Sequence, residues 1–238
     1  MSPVPNQTKQ KVLLVHCYYQ IHGGEDTVVA NEKKLLEDNG HEVILYTRDN
    51  SEISRMSVLR KLLLPFLSIY NPRTSRDIKK IIKENRIDIV HVHNTLHLIS
   101  PAVFYAAVKC GIPAVMTVHN FRLLCPGAML YRDGHACEDC IGKGLRCAVR
   151  HGCYRGSRAQ TLIQALSAAI HRSTGIYRKI SFICLTPFNR DKLLLINQKR
   201  MTIDPARIYV KPNFTFFDNG SNSPVKSAQV GHDGGVEE

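Results

Sequence analysis

The chain has 238 residues, a formal net charge of +12 and a pI near 9.4, and 44% of its residues are apolar. This composition is typical of a globular protein with a buried core, in one large domain or two small ones. No apolar run approaches the roughly 18 residues of a membrane-spanning helix, and residues 1–11 lack the apolar segment of a signal peptide. We therefore expect a cytoplasmic protein whose cysteines are mostly reduced.

The positive charge is concentrated in the second half of the chain. Residues 1–120 hold 15 Lys and Arg against 11 Asp and Glu, whereas residues 121–213 hold 16 against 5. A surface of this sign favours an anionic partner, and nucleic acid, a membrane surface and a phosphorylated substrate all qualify.

Hydrophobic periodicity predicts strands that alternate with helices along most of the chain. Strands are predicted over residues 11–17, 42–47, 87–92, 113–118, 181–186 and 207–211. Helices are predicted up to Gly40 and over residues 73–86, 101–110, 160–179 and 188–198. This alternation predicts an α/β fold, a Rossmann-like parallel sheet with helices on both faces.

Other segments lack such a pattern. Residues 49–71 are predicted to be irregular, and residues 121–158 form an irregular insert rich in Cys, Gly and Arg. Residues 1–10 and 214–238 are rich in small and polar residues and are predicted to be disordered. The sequence therefore predicts one domain over residues 11–213.

A glycine pair, Gly23 and Gly24, lies between the first predicted strand and the first helix. In a parallel sheet, ligands bind beyond the carboxyl ends of the strands. Glycines let backbone amides approach a ligand closely, and a helix N-terminus favours an anion. The spacing alone also fits an ordinary turn, and it does not match the G-x-G-x-x-G dinucleotide fingerprint.

Four stretches of the sequence share their order and spacing with a known family. They are KVLLVHCYYQIHGGEDTVVANEKKLLEDNGHEVILYT, RIDIVHVHNTLHLISPAVFYAAVKCGIPAVMTVHNFRLLCPG, SFICLTPFNRDKLL and RIYVKPNF. Together they resemble the N-terminal, acceptor-side domain of family 4 glycosyltransferases, which have the GT-B fold of two Rossmann-like domains. The resemblance implies that Gly23 and Gly24 line the interdomain cleft near the donor's diphosphate and the acceptor. His22 just before them fits either the same cleft or an ordinary surface loop.

The motif HVHNTLH places His91 and His93 two residues apart at a strand end, so their side chains face the same side. With His97 they fit a metal cluster of the kind found in hydrolases. The resemblance instead implies that His93 and Asn94 line the acceptor side of the cleft. For His91, a core histidine satisfied by the backbone is the alternative.

His119 follows the predicted strand 113–118, and Asn120 comes next. The resemblance implies that this histidine lies near the transferred sugar and the acceptor, with Asn120 as a further substrate-binding residue. A neutral imidazole there can accept a hydrogen bond from a sugar hydroxyl and orient the acceptor hydroxyl for attack. His119 is therefore the predicted catalytic residue. Without the resemblance, a strand-end histidine with no role fits equally well.

Five of the eight cysteines lie within the insert. Cys137 and Cys140 have the C-x-x-C spacing of half a tetrahedral zinc site, and Cys125 and Cys153 can complete a four-thiolate set. The residues that can substitute for one of these ligands are Cys147, His135 and His151. Because the insert is poor in apolar residues, a structural zinc ion would supply part of its folding free energy. Unligated thiols and redox or disulfide use are the alternatives.

Two surfaces fit an anionic membrane. Residues 54–71 place Arg55, Arg60 and Lys61 around a short apolar block, which suits a segment lying on a bilayer or a loop buried on the sheet, and Pro65 is expected to break a long helix there. A second basic surface can meet lipid headgroups or a lipid-diphosphate acceptor, and an ordinary solvated charged face is the alternative. It comprises Arg146, Arg150, Arg155, Arg158, Arg172, Arg178 and Lys179. No aromatic-rich platform accompanies these charges, which disfavours nucleic acid.

The resemblance implies transfer of a sugar from a nucleotide sugar to a glycan or lipid-linked acceptor. GT-B enzymes hold the donor mostly through a second domain with an E-x7-E motif, and no such motif follows KPNF here. We therefore expect weak or no turnover unless a separate C-terminal donor-binding domain takes part, and a location at the inner face of the cell membrane. The alternatives are a non-catalytic module that binds glycan or anionic lipid, and a zinc-bearing nucleic-acid binder.

Overall fold

The computed structural model describes residues 8–20 and 23–216. The strands are β1 (Lys11–Tyr18), β2 (Glu42–Asp49), β3 (Ile89–Asn94), β4 (Ala114–Val118), β5 (Tyr131–Arg132), β6 (His135–Ala136), β7 (Ser181–Cys184) and β8 (Ile208–Val210). The helices are α1 (Gly24–Asp38), α2 (Val58–Ile69), α3 (Pro72–Asn85), α4 (Ala102–Lys109), α5 (Asp139–Gly142), α6 (Arg146–His151), α7 (Arg158–Ser173) and α8 (Pro187–Leu194). Short 3-10 helices cover Asn50–Arg55, Ile176–Lys179, Leu195–Asn197 and Pro205–Arg207.

Six strands form one parallel sheet in the order β2-β1-β3-β4-β7-β8, which confirms the predicted Rossmann-like α/β fold. The chain leaves β1 for β2 on one side and returns to β3 on the other. The loops after β1 and β3 therefore diverge, and a crevice opens between them at the carboxyl edge of the sheet. This crevice is where the sheet topology places a ligand.

Burial on both faces explains why the central strands are so apolar. Leu13, Leu14 and Val15 in β1 are completely buried. Ile78 and Ile82 stand one turn apart on α3 and pack against the sheet, while Phe104 comes from α4. The side chain of Asn71 caps α3 by accepting hydrogen bonds from the first-turn amides.

The prediction that residues 49–71 are irregular is wrong. They form the 3-10 helix Asn50–Arg55 and helix α2, and α2 contains Pro65. A proline inside a helix removes one hydrogen bond, here to the carbonyl of Lys61. Lys61 lies on the exposed face of α2, so water can satisfy that carbonyl.

The insert also contains regular structure that its sequence did not predict. Strands β5 and β6 pair as a small antiparallel hairpin, and α5 and α6 are helices of four and six residues. Elements this short carry no measurable hydrophobic period, which is why the insert reads as irregular. A similar local effect ends α7 early: Gly175 adopts a φ of 71°, and a separate 3-10 helix follows where one helix to residue 179 was predicted.

Within the described part of the chain, no helix is both long and apolar enough to cross a bilayer. The predictions for His22, for residues 1–7 and for residues 217–238 lie outside the described residues.

Candidate functional site

Two imidazoles meet where β3 and β4 end. His93 Nδ1 and His119 Nε2 are 2.9 Å apart, and the two rings are stacked with their centroids 5.2 Å apart. His93 is buried, while His119 is partly exposed and borders a cavity of about 70 Å³. The predicted site residues His93, Asn94, His119 and Asn120 all line this cavity.

A buried glutamate on α1, Glu32, stands on the other side of His93. Its Oε2 lies 2.9 Å from His93 Nε2 and 3.6 Å from His91 Nε2, and its Oε1 is paired with the ammonium group of Lys211. The contact with His93 has hydrogen-bond length, although its angle departs from the ideal direction. Four charged or titratable groups therefore run in series, namely Lys211, Glu32, His93 and His119.

This series assigns the imidazole tautomers. A carboxylate only accepts hydrogen bonds, so the proton of His93 sits on Nε2, facing Glu32. His93 Nδ1 is then an acceptor, and His119 donates to it from Nε2. The Nδ1 atom of His119 is consequently left with a lone pair, which is the acceptor required for binding a hydroxyl group.

The pKa shifts agree with these charge states. Burial alone would raise the pKa of Glu32, but the contacts of its carboxylate with His93 and with the ammonium group of Lys211 lower it to about 2. Burial lowers the pKa of His119 to about 4. Glu32 is therefore ionised and His119 neutral at neutral pH.

His91 and His97 lie in different surroundings, so the predicted cluster of His91, His93 and His97 does not form. His91 Nε2 hydrogen-bonds Thr117 Oγ1 at 2.8 Å, which makes it a core histidine satisfied by a side chain. His97 Nε2 instead meets the hydroxyl of Tyr154 at 2.9 Å. Burial lowers the pKa of His91 to about 3 and that of His97 to about 4.

The described residues do contain another set of groups with metal-ligand chemistry. The ligand atoms of Glu32, His91 and His93 all lie within 4.8 Å of one another. A cation there would compete with the ammonium group of Lys211, which already neutralises Glu32, and with the bond from His91 to Thr117. Contacts within the protein thus occupy Glu32 Oε1 and His91 Nε2, whereas Glu32 Oε2 and His93 Nε2 face each other at 2.9 Å without a well-directed hydrogen bond.

The glycine pair lies at the mouth of the same crevice. Gly23 has a φ of −132°, and neither Gly23 nor Gly24 has a left-handed conformation, so the backbone itself does not demand glycine. A Cβ atom at either position would meet nothing within 4 Å. The space above both residues is open, as a closely approaching ligand requires.

The helix end behind this pair differs from the anion site expected from the sequence. Asp26 accepts a hydrogen bond from the Gly23 amide at 3.0 Å and contacts His16 Nε2 at 2.8 Å. Glu25 and Asp26 both lie in the first turn of α1 and satisfy its positive end. An anionic group is therefore disfavoured there, whereas a neutral sugar hydroxyl is not.

Two side chains connect the glycine loop to the loop after β4. Asn120 Nδ2 donates to Glu25 Oε1 at 3.3 Å, and Asn120 Oδ1 accepts from the Arg122 amide at 3.1 Å. Because Glu25 follows Gly24 and Asn120 follows His119, this bond joins the loops that carry Gly24 and His119. The other oxygen of Glu25, Oε2, is buried without a hydrogen-bond partner among the described residues, and burial raises the pKa of this carboxyl.

Asn94 also makes contacts within the protein. Its Nδ2 donates to the Cys17 carbonyl at 2.7 Å, and its Oδ1 accepts from the Leu96 amide at 3.1 Å. Asn94 thus ties the ends of β1 and β3 together. Both predicted asparagines shape the crevice, and each retains one amide hydrogen for a ligand.

Sequence reasoning missed three charged residues of the site, Glu25, Glu32 and Lys211. A usable signal existed for Glu32. It lies one turn after Val28 and Val29, on the face of α1 that is buried, and a carboxylate within an apolar stripe indicates a specific partner. The pairing with Lys211 spans 179 residues and leaves no local trace.

The structure brings the insert cysteines together around one small cavity. The four predicted zinc ligands Cys125, Cys137, Cys140 and Cys153 line it, as do Cys147 and His151. All eight cysteines of the chain are free thiols.

The segment that could have been a buried loop is helix α2, and its apolar face is exposed to solvent. The side chains of Val58, Leu59, Leu62 and Phe66 are between 67% and 75% exposed. The basic residues of this segment are also exposed. On the second basic surface, Arg172 is an exception, because its partly buried guanidinium donates to the Leu123 carbonyl.

The sheet order and the crevice at its carboxyl edge define a Rossmann-like α/β domain. The chain belongs to glycosyltransferase family 4, since residues 22–215 match the model of that family. Family membership implies a nucleotide-sugar donor and a sugar acceptor.

Similar proteins were found by sequence and by structure. The chain is 31% identical over 120 residues to an uncharacterised 42.6 kDa protein in the cps region of Klebsiella pneumoniae, a match that covers 47% of this chain and 32% of that protein. The crystal structure of Acinetobacter baumannii MurG is similar with a TM-score of 0.42 and 12% identity, over 89% of this chain and 47% of MurG. The S. aureus MnaA–UDP structure is similar with a TM-score of 0.34 and 11% identity, over 86% and 69%. The chain thus spans about a third of the curated relative that it matches.

Proposed function

We propose that this chain is the acceptor-side domain of a family 4 glycosyltransferase that transfers a sugar to a glycan or lipid-linked acceptor during cell-surface polysaccharide assembly. The observation that carries the proposal is the series Lys211, Glu32, His93 and His119, which ends in a neutral imidazole at the crevice. The cps region that holds the Klebsiella relative supports polysaccharide assembly as the setting.

In this proposal His119 acts on a hydroxyl group. Its Nδ1 lone pair accepts a hydrogen bond from the acceptor or from the transferred sugar, and His93 and Glu32 hold the ring in the required tautomer. A single acceptor aligned with the hydroxyl hydrogen is enough to orient the hydroxyl oxygen for attack on the donor's anomeric carbon.

The glycine pair lets the donor approach without steric conflict. Gly23 and Gly24 leave the space above them open, so that the sugar of the donor can pass close to the backbone. Because Glu25 and Asp26 add negative charge there, the donor's diphosphate is held elsewhere, in a donor-binding domain. Transfer would therefore require such a domain in addition to the one described.

The exposed face of α2 fits an acceptor that is attached to a membrane. Its apolar side chains would enter the interfacial region of a bilayer, while Arg55, Arg60 and Lys61 meet anionic headgroups. This contact would bring the crevice to a lipid-linked acceptor at the membrane surface.

A transfer assay tests the proposal. The purified chain is incubated with a panel of labelled nucleotide sugars and with membranes that contain lipid-linked glycans, with and without a donor-binding domain supplied separately. We expect label in the lipid or polysaccharide fraction with one donor, and its loss in the variant His119→Ala. His135→Ala, which changes an exposed histidine of the insert hairpin, should retain transfer. Glycan or lipid binding with no transfer in any arrangement would instead establish a non-catalytic binding module.

A further inference from the structure

Five cysteines from separate segments of the insert converge on one cavity. Cys125 lies in the loop after β4. Cys137 lies just before α5, and Cys140 lies within α5. Cys147 lies within α6, and Cys153 follows α6. The cavity measures about 10 Å³ and is therefore close to the size of one water-sized sphere. It is too small for an organic ligand but can hold a single ion.

The backbone around this cavity is fixed by close contacts. A Cβ atom at Gly127 would lie 3.1 Å from the Cys153 carbonyl oxygen, so a larger residue there would push these two segments apart by a few tenths of an ångström. The Cys137 amide donates to the Leu130 carbonyl at 2.8 Å. The cysteines are thus held together by the chain itself and not only by the apolar packing of a core.

Polar groups around the sulfurs stabilise negative charge. The thiol of Cys140 and the backbone amides of Gly127, Ala128 and Leu130 lie within hydrogen-bonding reach of the sulfur of Cys125. A sulfur surrounded by backbone donors is the arrangement expected of a metal-bound thiolate.

Cys147 and Cys153 are the two candidates for the fourth ligand. Cys153 interacts electrostatically with Cys125 and Cys137, and the guanidinium of Arg132 lies beside Cys137 and Cys153. Cys147 also lines the cavity and, like Cys137, interacts with the ammonium group of Lys143. We choose Cys153 because its sulfur interacts with two other cysteines of the set.

The histidines named as substitutes are also engaged elsewhere. His151 Nδ1 accepts from Arg132 Nη1 at 2.8 Å. His135 Nδ1 approaches the Asp133 carbonyl at 3.2 Å.

We propose that Cys125, Cys137, Cys140 and Cys153 bind one zinc ion that holds the insert against the domain. Four thiolates and Zn²⁺ carry a net charge of −2, and Arg132 compensates part of it. Each thiol that is still protonated releases its proton to solvent when the metal binds. No three of these sulfurs lie within 4.8 Å of one another, so binding draws them inward, and the partly exposed Cys137 and Cys153 are the side chains with room to move.

Metal analysis and cobalt substitution test this site without any measurement of sugar transfer. The full chain is purified under reducing conditions from zinc-supplemented cells, and its metal content is measured by mass spectrometry. We expect one zinc ion per chain, and after replacement by Co²⁺ an intense thiolate-to-metal charge-transfer band with the visible bands of a tetrahedral ion. A chelator should lower the melting temperature of the zinc-loaded protein.

Single substitutions identify the ligands. Cys140→Ser and Cys153→Ser should lose zinc, whereas Cys147→Ser and Cys110→Ser, a partly exposed cysteine outside the insert, should keep it. Zinc lost from Cys147→Ser but kept by Cys153→Ser would overturn the proposed ligand set. Where a variant fails to fold, the cobalt spectrum of the unmodified chain still shows whether thiolates bind the metal.

Two results on the unmodified chain would reject the site. One is a metal-free protein whose insert thiols all react with a thiol reagent, or that contains a disulfide between Cys137 and Cys140. The other is bound metal whose cobalt spectrum lacks the thiolate band, which would assign the ion to Glu32, His91 and His93 instead.

Discussion

His119 Nε2 lies 2.9 Å from His93 Nδ1, a separation at which one of the two nitrogens must carry the proton and the other must accept it. The carboxylate of Glu32 on the far side of His93 decides which. A residue buried within α1 thus sets the hydrogen-bonding character of an imidazole at the crevice, although the two never touch. Glu32 is in this sense a positioning residue.

Replacing Glu32 should change the tautomer of His119. In Glu32→Gln the amide can present either a donor or an acceptor to His93. Nothing then fixes which ring nitrogen of His93 carries the proton. We expect the ¹⁵N resonance of His119 Nδ1, pyridine-like in the unmodified protein, to shift toward the average of both tautomers. Glu37→Gln, which changes an exposed glutamate on the same helix, should leave that resonance in place. An unchanged His119 spectrum in Glu32→Gln would show that Glu32 does not determine the tautomer of His119.

Acidification should destabilise the fold through its buried histidines. The pKa of His91 is about 3 and that of His119 about 4 in the folded state, both below the ordinary value of 6.5. The unfolded chain therefore binds more protons than the folded one as the pH falls below about 6.5, and stability is lost until the folded pKa values are passed. Each such histidine contributes a slope of about 1.4 kcal/mol per pH unit.

Urea unfolding at several pH values between 7 and 5 checks this dependence. The free energy of unfolding should fall with pH in the unmodified chain and fall less steeply in His91→Gln. His135→Gln, an exposed site, should keep the original slope. Equal slopes in all three proteins would mean that His91 takes up its proton without a cost to folding.

Adding a methyl group at Gly24 should separate ligand binding from stability. The backbone there is one that alanine readily adopts and the added carbon meets no protein atom, so Gly24→Ala should leave stability unchanged or raise it by up to about 1 kcal/mol. The same methyl group would enter the space through which the donor sugar passes, and we expect a tenfold or greater rise in the KM for the donor. Gly142→Ala has equally open surroundings within the insert and serves as the control. A normal KM in Gly24→Ala would remove the glycine loop from the donor path.

Acidic substitutions on the exposed apolar face of α2 should weaken membrane binding. Leu62 and Phe66 are each 67% exposed, and burying such a side chain in a bilayer interface is worth about 1.5–3 kcal/mol. Leu62→Asp and Phe66→Asp should therefore each reduce partitioning into vesicles of phosphatidylglycerol and phosphatidylcholine about tenfold or more, measured by sedimentation. Met129→Asp changes an equally exposed residue away from α2 and should bind normally. If all variants bind alike, α2 does not dock the membrane.

Periodicity was sufficient for the sheet and its main helices because their apolar stripes are long. β1 and α3 were predicted to within one residue at each end, since Leu13 to Val15 and the pair Ile78 and Ile82 are strong signals. Pro65 misled the prediction for α2. The proline removes only one backbone hydrogen bond of the helix. The packing of α2 against α7 offsets that loss and cannot be read from the sequence.

The site could be predicted only in part, for a physical reason. His93, His119 and the glycine pair lie at strand ends, where topology alone brings them together. Glu32 and Lys211 meet across most of the chain length, and Glu25 joins Asn120 through a bond between separate loops. Such partners follow from how the elements pack and not from local spacing.

Lys211 belongs to the segment that leaves the last strand of the sheet, and Asn31 on α1 fastens that same segment through the carbonyl of Phe214. An ion pair and a hydrogen bond therefore tie the outgoing chain to α1, the helix that carries Glu32. If this segment moved away, Glu32 would lose its counter-charge, and the pKa values of His91 and His119, which the charge of Lys211 helps to lower, would rise.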